Sequence, residues 1–161
     1  YNLLKGNNPD TKVEGNPFFI EEMYNRASLK IKPDNYYEIN LDDFYKKEAF
    51  NYISKDPLRY LKYYFFKIFS FIFVDFNSTY PNYYNVFHLF PKVIVSLIAT
   101  VGGIISLRKK GTFQFLSIFY FCNILLFSIF FILPRYSLIL LPVQLLLSAY
   151  FIDYLIRKLR Y

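Results

Sequence analysis

The chain has 161 residues, of which 55% are hydrophobic and 23% aromatic, and its formal net charge is +7. Residues 1–57 contain eight Lys or Arg and ten Asp or Glu, whereas residues 58–161 contain eleven basic residues and only two acids. This composition excludes a disordered chain and a disulfide scaffold. Because the basic residues flank apolar runs, it also excludes a soluble nucleic-acid binder and indicates a membrane protein.

Residues 1–57 are predicted to form an extracytoplasmic loop region of mixed, soluble character. Asn16 is expected to cap a short helix that has Pro17 at its first position. Asn40 is expected to cap a second helix, which the Asp56-Pro57 pair ends. The chain begins at Tyr1, and we expect a C-terminal piece of a longer polytopic protein; a processed mature protein is the alternative.

Residues 58–76 predict an amphipathic helix that lies in the membrane interface, with a basic face opposite an aromatic one. The basic residues Arg59, Lys62 and Lys67 are the candidates for contact with lipid headgroups. The alternative is a further membrane span that begins at Tyr63. The uncharged run within this segment is too short for a span.

A polar turn follows this helix, so residues 58–85 form the interfacial helix and turn. Tyrosines of the turn, among them Tyr80, are expected at the level of the lipid headgroups.

Residues 86–161 are predicted to contain three transmembrane helices, at about 86–107, 113–133 and 136–155. The second run has 21 residues and no charge, enough to cover a hydrocarbon core of about 30 Å. The third contains Pro142, which interrupts the helical hydrogen bonds in a way that membrane helices tolerate.

Two short patterns within these runs predict specific contacts. Asp153 and Arg157 are four residues apart and can pair on one helical face. Ala99 and Gly103, beside Gly102, form a small-xxx-small pattern that lets another helix approach closely. The pattern serves either a dimer or packing within one bundle.

Basic residues predict the orientation of the spans. Arg108, Lys109 and Lys110 lie between the first two runs, and Arg157, Lys158 and Arg160 follow the last. Because basic residues stay on the cytoplasmic side, the 108–111 loop and the C-terminus are expected inside. Residues 1–85 and the turn at 134–136 are then expected outside.

The histidine, the cysteine and the acidic pairs of the sequence do not indicate a metal or catalytic site. His88 is the single histidine and has no cysteine near it, so a metal site is not expected. Cys122 is interpreted as a packing residue within a span. The acidic pairs Glu21-Glu22 and Asp42-Asp43 are interpreted as helix-start and solvated charges. No cofactor is indicated.

Several short motifs follow one another along the chain: Gly6-Asn7-Asn8-Pro9, Lys47, Ala49, Tyr52-Ile53, Pro57, Arg59-Tyr60-Leu61, Lys67, and Pro134-Arg135-Tyr136 before Pro142. Their order and spacing resemble the GT-C glycosyltransferases of bacteria and archaea. Within that group, they most resemble the dolichyl-phosphate-mannose–protein mannosyltransferase relatives, including the aminoarabinose transferases. The chain departs from this group in having no tryptophan.

The resemblance implies a polytopic, mainly α-helical protein of the prokaryotic plasma membrane and cell envelope. It implies transfer of a sugar from a polyprenyl-phosphate donor to an acceptor on the outer face. The family's catalytic aspartate lies in an early outward loop, and no residue here matches it. The missing N-terminal part of the same protein is therefore an expected partner, beside membrane lipids and the lipid-linked donor, and the fragment is expected to be inactive alone.

Arg135 is the one charge in the outward turn, and it has two interpretations. It either anchors the turn at the headgroups or binds the donor phosphate, for which a planar guanidinium with two parallel donors is suited. The Tyr136 hydroxyl could add a donor at the same level. A different functional class also stays open: a non-enzymatic three-span scaffold or subunit with an outward domain.

Overall fold

The computed structural model describes residues 1–10, 12–79, 81–133 and 135–160, and these are mainly α-helical, without a strand among them. The predicted α class is therefore confirmed. The helices are α1 Asn2–Gly6, α2 Pro17–Ser28, α3 Tyr37–Lys55, α4 Pro57–Ile72, α5 Val86–Ser106, α6 Thr112–Ser128, α7 Tyr136–Ile139 and α8 Leu141–Leu159.

The chain divides into two compact units. The first unit comprises Tyr1–Lys67 together with Phe127–Ile132, and the second comprises Ile68–Leu126 together with Leu133–Tyr161.

The core of the first unit joins α1, α2 and α3. Its buried members are Leu4, Ile20, Met23, Tyr45 and Ala49. These residues recur three or four positions apart on α2 and α3, so each helix turns one apolar stripe inward.

The start of α2 confirms the predicted cap. The Asn16 side chain accepts hydrogen bonds from the amides of Phe18 and Phe19, at 3.0 and 3.4 Å, and Pro17 occupies the first turn. The cap satisfies amides that have no partner within the helix.

The start of α3 differs from the prediction, since the helix begins three residues before Asn40. Asp34 closes the earlier turn: its carboxylate accepts from the Tyr36 amide at 2.8 Å and its carbonyl from the Tyr37 amide at 3.1 Å. The other end is as predicted, because α3 ends at Lys55 and α4 begins at Pro57.

The helix α4 has polar as well as aromatic residues on its buried face and large apolar residues on its exposed face. Its buried residues include Tyr60, Tyr63, Lys67, Ser70 and Phe71. Leucine and phenylalanine side chains three or four positions apart lie on its exposed face: Leu58, Leu61, Phe65 and Phe69. The apolar stripe of α4 therefore faces outward.

In the second unit, α5 and α8 run parallel. Gln144 near the start of α8 contacts Ser96, and Leu147, one turn later, meets Gly102 of α5. The helix α6 runs in the opposite direction, since Tyr120 lies near Thr100 while the earlier residue Ser117 bonds the later Ser106.

Small residues of α5 allow this close packing. Ser96, Ala99, Gly102, Gly103 and Ser106 are all buried. A Cβ at Gly102 would fall on the backbone of Leu147, and one at Gly103 would lie 3.1 Å from the Phe121 ring. Of the two predicted roles, packing within one bundle is therefore confirmed for Ala99 and Gly103.

Three spans were expected, but α5 alone among the described helices is both long enough and apolar enough to cross a membrane. The predicted span 113–133 is a 17-residue helix that ends at Ser128. Beyond it, the Ile129 carbonyl accepts from the Asn7 amide group at 2.8 Å, and the Ile132 amide donates to the Val13 carbonyl at 2.7 Å. These two hydrogen bonds to the N-terminal region take the place of the backbone hydrogen bonds that would continue α6.

The predicted span 136–155 is also divided, because the helix is interrupted at Leu140, between α7 and α8. Pro142 lies in the first turn of α8. A backbone N–H at this position has no acceptor within the helix, so the missing N–H of proline removes no hydrogen bond from α8. The predicted pair is present, with 2.9 Å between Arg157 Nε and Asp153 Oδ2.

Candidate functional site

The second unit contains a cavity of about 440 Å³ between α5, α7 and α8. Its lining residues are His88, Pro91, Lys92, Val95, Arg135, Ser137, Leu138, Leu141 and Gln144. The cavity therefore contains Arg135, for which the sequence left headgroup anchoring and phosphate binding as alternatives. It also contains His88 and Lys92, for which the sequence predicted no shared site.

The helical register orders the cavity from mouth to floor. His88 and Lys92 lie on successive turns of α5, while Arg135 immediately precedes α7. Because α5 and α8 run parallel, these residues lie at one end, and Val95 and Gln144 lie further along the helices. The rise from residue 88 to residue 96 is about 12 Å.

The lining of the cavity combines basic and aliphatic side chains. The described lining contains three basic side chains, those of His88, Lys92 and Arg135, and no carboxylate. Four further lining residues are aliphatic: Pro91, Val95, Leu138 and Leu141. An anionic group at the mouth would meet positive charge while an attached hydrocarbon chain contacts the walls.

A buried hydrogen-bond network forms the floor. The Gln144 amide nitrogen donates to Ser96 Oγ at 3.3 Å and to the Tyr120 hydroxyl at 3.2 Å. The Tyr120 hydroxyl also lies 3.5 Å from Thr100 Oγ1. This network links all three long helices of the unit and holds Gln144 in place. Sequence reasoning missed Gln144, although an amide within an apolar run of α8 is a signal for a buried contact.

The two residues predicted for the outward turn differ in position. Arg135 is exposed and lines the cavity, whereas Tyr136 is half-buried at the start of α7 and is not among the lining residues. Ser137 lines the cavity in its place. The predicted positions of Pro134 and Tyr80 lie outside the described residues.

The predicted lipid-contacting residues also differ from one another. Arg59 and Lys62 are exposed, and the Arg59 guanidinium donates to the Pro9 carbonyl. Lys67, in contrast, is 0% exposed. The expectation that Lys67 reaches lipid phosphates is therefore wrong for this structure. Position 67 follows Tyr60 and Tyr63 on the inward face of α4, so its side chain points away from the surface.

The buried Lys67 has neutral partners. Its ammonium donates to Asn7 Oδ1 at 3.1 Å and lies 4.8 Å from the centroid of the Tyr63 ring. Burial lowers the pKa of Lys67 to about 7, because the charged form loses its hydration.

The cavity offers binding chemistry: three basic side chains for an anion, and aliphatic walls for a hydrocarbon chain. No group of three His, Cys, Asp or Glu side chains suited to a metal ion occurs within the described part of the chain. Comparisons with protein-family models, with characterised protein sequences and with solved structures find no match to this chain.

Proposed function

We propose that this chain is the C-terminal part of a membrane glycosyltransferase that moves a sugar from a polyprenyl-phosphate donor to an acceptor on the outer face. The cavity of the second unit binds the donor phosphate. The observation that carries this proposal is that His88, Lys92 and Arg135 line one mainly apolar cavity, with no carboxylate among its described lining residues. The motif resemblance to GT-C transferases supports the same chemistry.

A prenyl phosphate suits both parts of this cavity. Its phosphate accepts two parallel hydrogen bonds from a guanidinium and attracts the neighbouring cations. A hydrogen bond to a charged group contributes about 1.5–3 kcal/mol. The first isoprene units contact Val95, Leu138 and Leu141. This contact stabilises the complex because apolar surface of the lipid and of the three side chains is removed from water.

A membrane environment accounts for the residue distribution of the second unit. Its buried residues include several small or polar ones: Ser96, Ser106, Ser117, Gln144 and Ser148. Its exposed residues include many large apolar ones: Leu97, Ile104, Phe115, Ile118, Leu125, Leu126, Leu145 and Ile152. Lipid favours this arrangement, since helices associate there through small and polar residues while large apolar side chains contact acyl chains.

The helix directions support the proposed orientation. The parallel course of α5 and α8 brings their basic C-terminal ends to the same side, and the Lys109 ammonium lies 5.1 Å from the Tyr154 ring centroid. The positive-inside rule places this side in the cytoplasm. The mouth of the cavity, at the opposite ends of α5 and α8, then opens to the outer face.

Cysteine labelling tests this orientation. In a Cys122→Ser background, a membrane-impermeant maleimide should label Ser78→Cys in intact cells and Lys110→Cys only after permeabilisation. Leu125→Cys, on a lipid-facing position of α6, serves as the control and should resist labelling in both conditions. Labelling of position 110 from outside alone would refute the orientation.

Ligand binding tests the cavity directly. The purified chain in detergent micelles should bind radiolabelled farnesyl phosphate at least tenfold more tightly than farnesol, which has the same hydrocarbon chain without the charge. Lys92→Gln should weaken farnesyl phosphate binding about tenfold, the equivalent of one charge-assisted hydrogen bond. Lys110→Gln, at the other end of the helices, is the matched control and should have no effect. Equal affinity for the two prenyl compounds would contradict a phosphate site.

A further inference from the structure

Lys67 of the first unit is buried and has no counter-ion among the described residues. Its side chain is 0% exposed, and its ammonium has the Asn7 amide oxygen at 3.1 Å and the Tyr63 ring centroid at 4.8 Å. No carboxylate oxygen of the described residues lies within 4 Å of it. Lysine is almost never fully buried unless it is paired, because an isolated buried charge is costly.

The Asn7 side chain connects Lys67 to two other segments. Its amide nitrogen donates to the Leu3 carbonyl at 2.9 Å and to the Ile129 carbonyl at 2.8 Å, while its oxygen accepts from Lys67. The neighbouring Gly6 has no room for a side chain, since a Cβ there would fall on the backbone of Phe130 and Phe131. Through Asn7, Lys67 thus connects α4 to both the 6–8 turn and the 127–132 segment.

Few other ionisable groups belong to these packed segments. Tyr63 lies on α4 itself, and Lys5 of α1 has its ammonium 4.4 Å from the Phe131 ring centroid. The 127–132 segment has no ionisable side chain. The loop after the 6–8 turn contains Asp10, Lys12 and Glu14, and the Asp10 carboxylate accepts from Asn16. No ion pair joins any of these groups to Lys67 within the described residues.

We infer that Lys67 is a proton-sensitive latch: its neutral amine favours the packing of the 6–8 turn and the 127–132 segment on α4, and its protonation favours their release. The neutral amine still has N–H groups and keeps the hydrogen bond to Asn7 Oδ1. Protonation adds a charge that the surrounding groups do not neutralise. Release exposes the ammonium to water, which removes the desolvation cost.

The direction of the pH effect follows from linkage. Burial lowers the pKa of Lys67 from 10.5 to about 7, so across this window the open state binds a proton that the closed state does not. The closed state is therefore most stable at high pH and loses stability as the pH falls toward 7. The opening equilibrium constant should rise up to about tenfold per pH unit and level off below pH 7.

Lysine side-chain NMR tests this inference on the intact chain. In detergent micelles, with lysine labelled by ¹³C at Cε, the Lys67 signal should titrate near pH 7. The signal that is missing from the spectrum of Lys67→Met is assigned to Lys67. Titration of Lys67 above pH 9 would overturn the inference.

Unfolding of the same samples provides the second measurement. Between pH 9.5 and pH 7, the opening constant of the first unit should rise on the order of a hundredfold in the wild type and in Lys62→Met. Lys67→Met should lose this dependence, since methionine has a similar length and no proton. An unchanged pH dependence in Lys67→Met would refute the latch. If Lys67→Met does not fold, the pH dependence of opening in the wild type still decides, because an opening constant that is unchanged between pH 9.5 and pH 7 would refute the latch.

Discussion

Gly102→Leu is expected to separate α5 from α8 and to abolish the packing of the second unit. A Cβ at this position already falls on the Leu147 backbone, and it would lie 3.1 Å from Phe151 Cβ. A leucine side chain forces the two helices apart, at a cost of about 3 kcal/mol. Denaturant unfolding in detergent micelles, followed by circular dichroism, measures the loss.

Ile104→Leu is the matched control, because Ile104 lies two residues later on α5 and is 50% exposed. Its unfolding free energy should stay within about 0.5 kcal/mol of the wild type, as for other surface substitutions. Equal stability of Gly102→Leu and the control would show that α5 and α8 do not pack through this glycine.

Arg135→Lys is expected to lower sugar transfer about ten- to a hundredfold in the complete protein. Lysine keeps the charge at the mouth of the cavity but loses the planar fork, so one charge-assisted hydrogen bond to the donor phosphate disappears. Membrane insertion and expression should be unaffected, since the charge is retained. Transfer from a labelled polyprenyl-phosphate sugar in membrane vesicles provides the rate.

Arg160→Lys makes the same chemical change at the exposed far end of α8 and should leave transfer unchanged. Kinetics of Arg135→Lys within twofold of the wild type would assign Arg135 to headgroup anchoring instead. A complete protein that binds farnesyl phosphate but transfers no sugar would favour a non-enzymatic lipid-binding subunit.

Local signals in the sequence predicted several details correctly. The Asn16 cap with Pro17, the boundary at Pro57 and the pair of Asp153 with Arg157 all depend on residues within one helical turn of each other. The small residues around Gly102 likewise predicted close helix packing, because their spacing alone makes a groove.

Helix ends were predicted less well where a distant partner intervenes. Hydropathy extends the second apolar run to residue 133, yet α6 ends at Ser128. More than a hundred residues earlier, the Asn7 side chain donates to the Ile129 carbonyl and the Val13 carbonyl accepts from the Ile132 amide, in place of hydrogen bonds that would continue the helix. Hydropathy averaged over neighbouring residues carries no information about partners so distant in the sequence.

The sequence by itself determined the helical class, the apolar character of residues 86–161 and the choice of Arg135 as a cation worth testing. Only the tertiary structure decided that His88 and Lys92 share a cavity with Arg135, and that Lys67 is buried rather than exposed. The physical reason is the range of the interactions. Helix formation and capping act within a few residues, whereas a cavity or a buried charge depends on segments that meet only when the chain has folded.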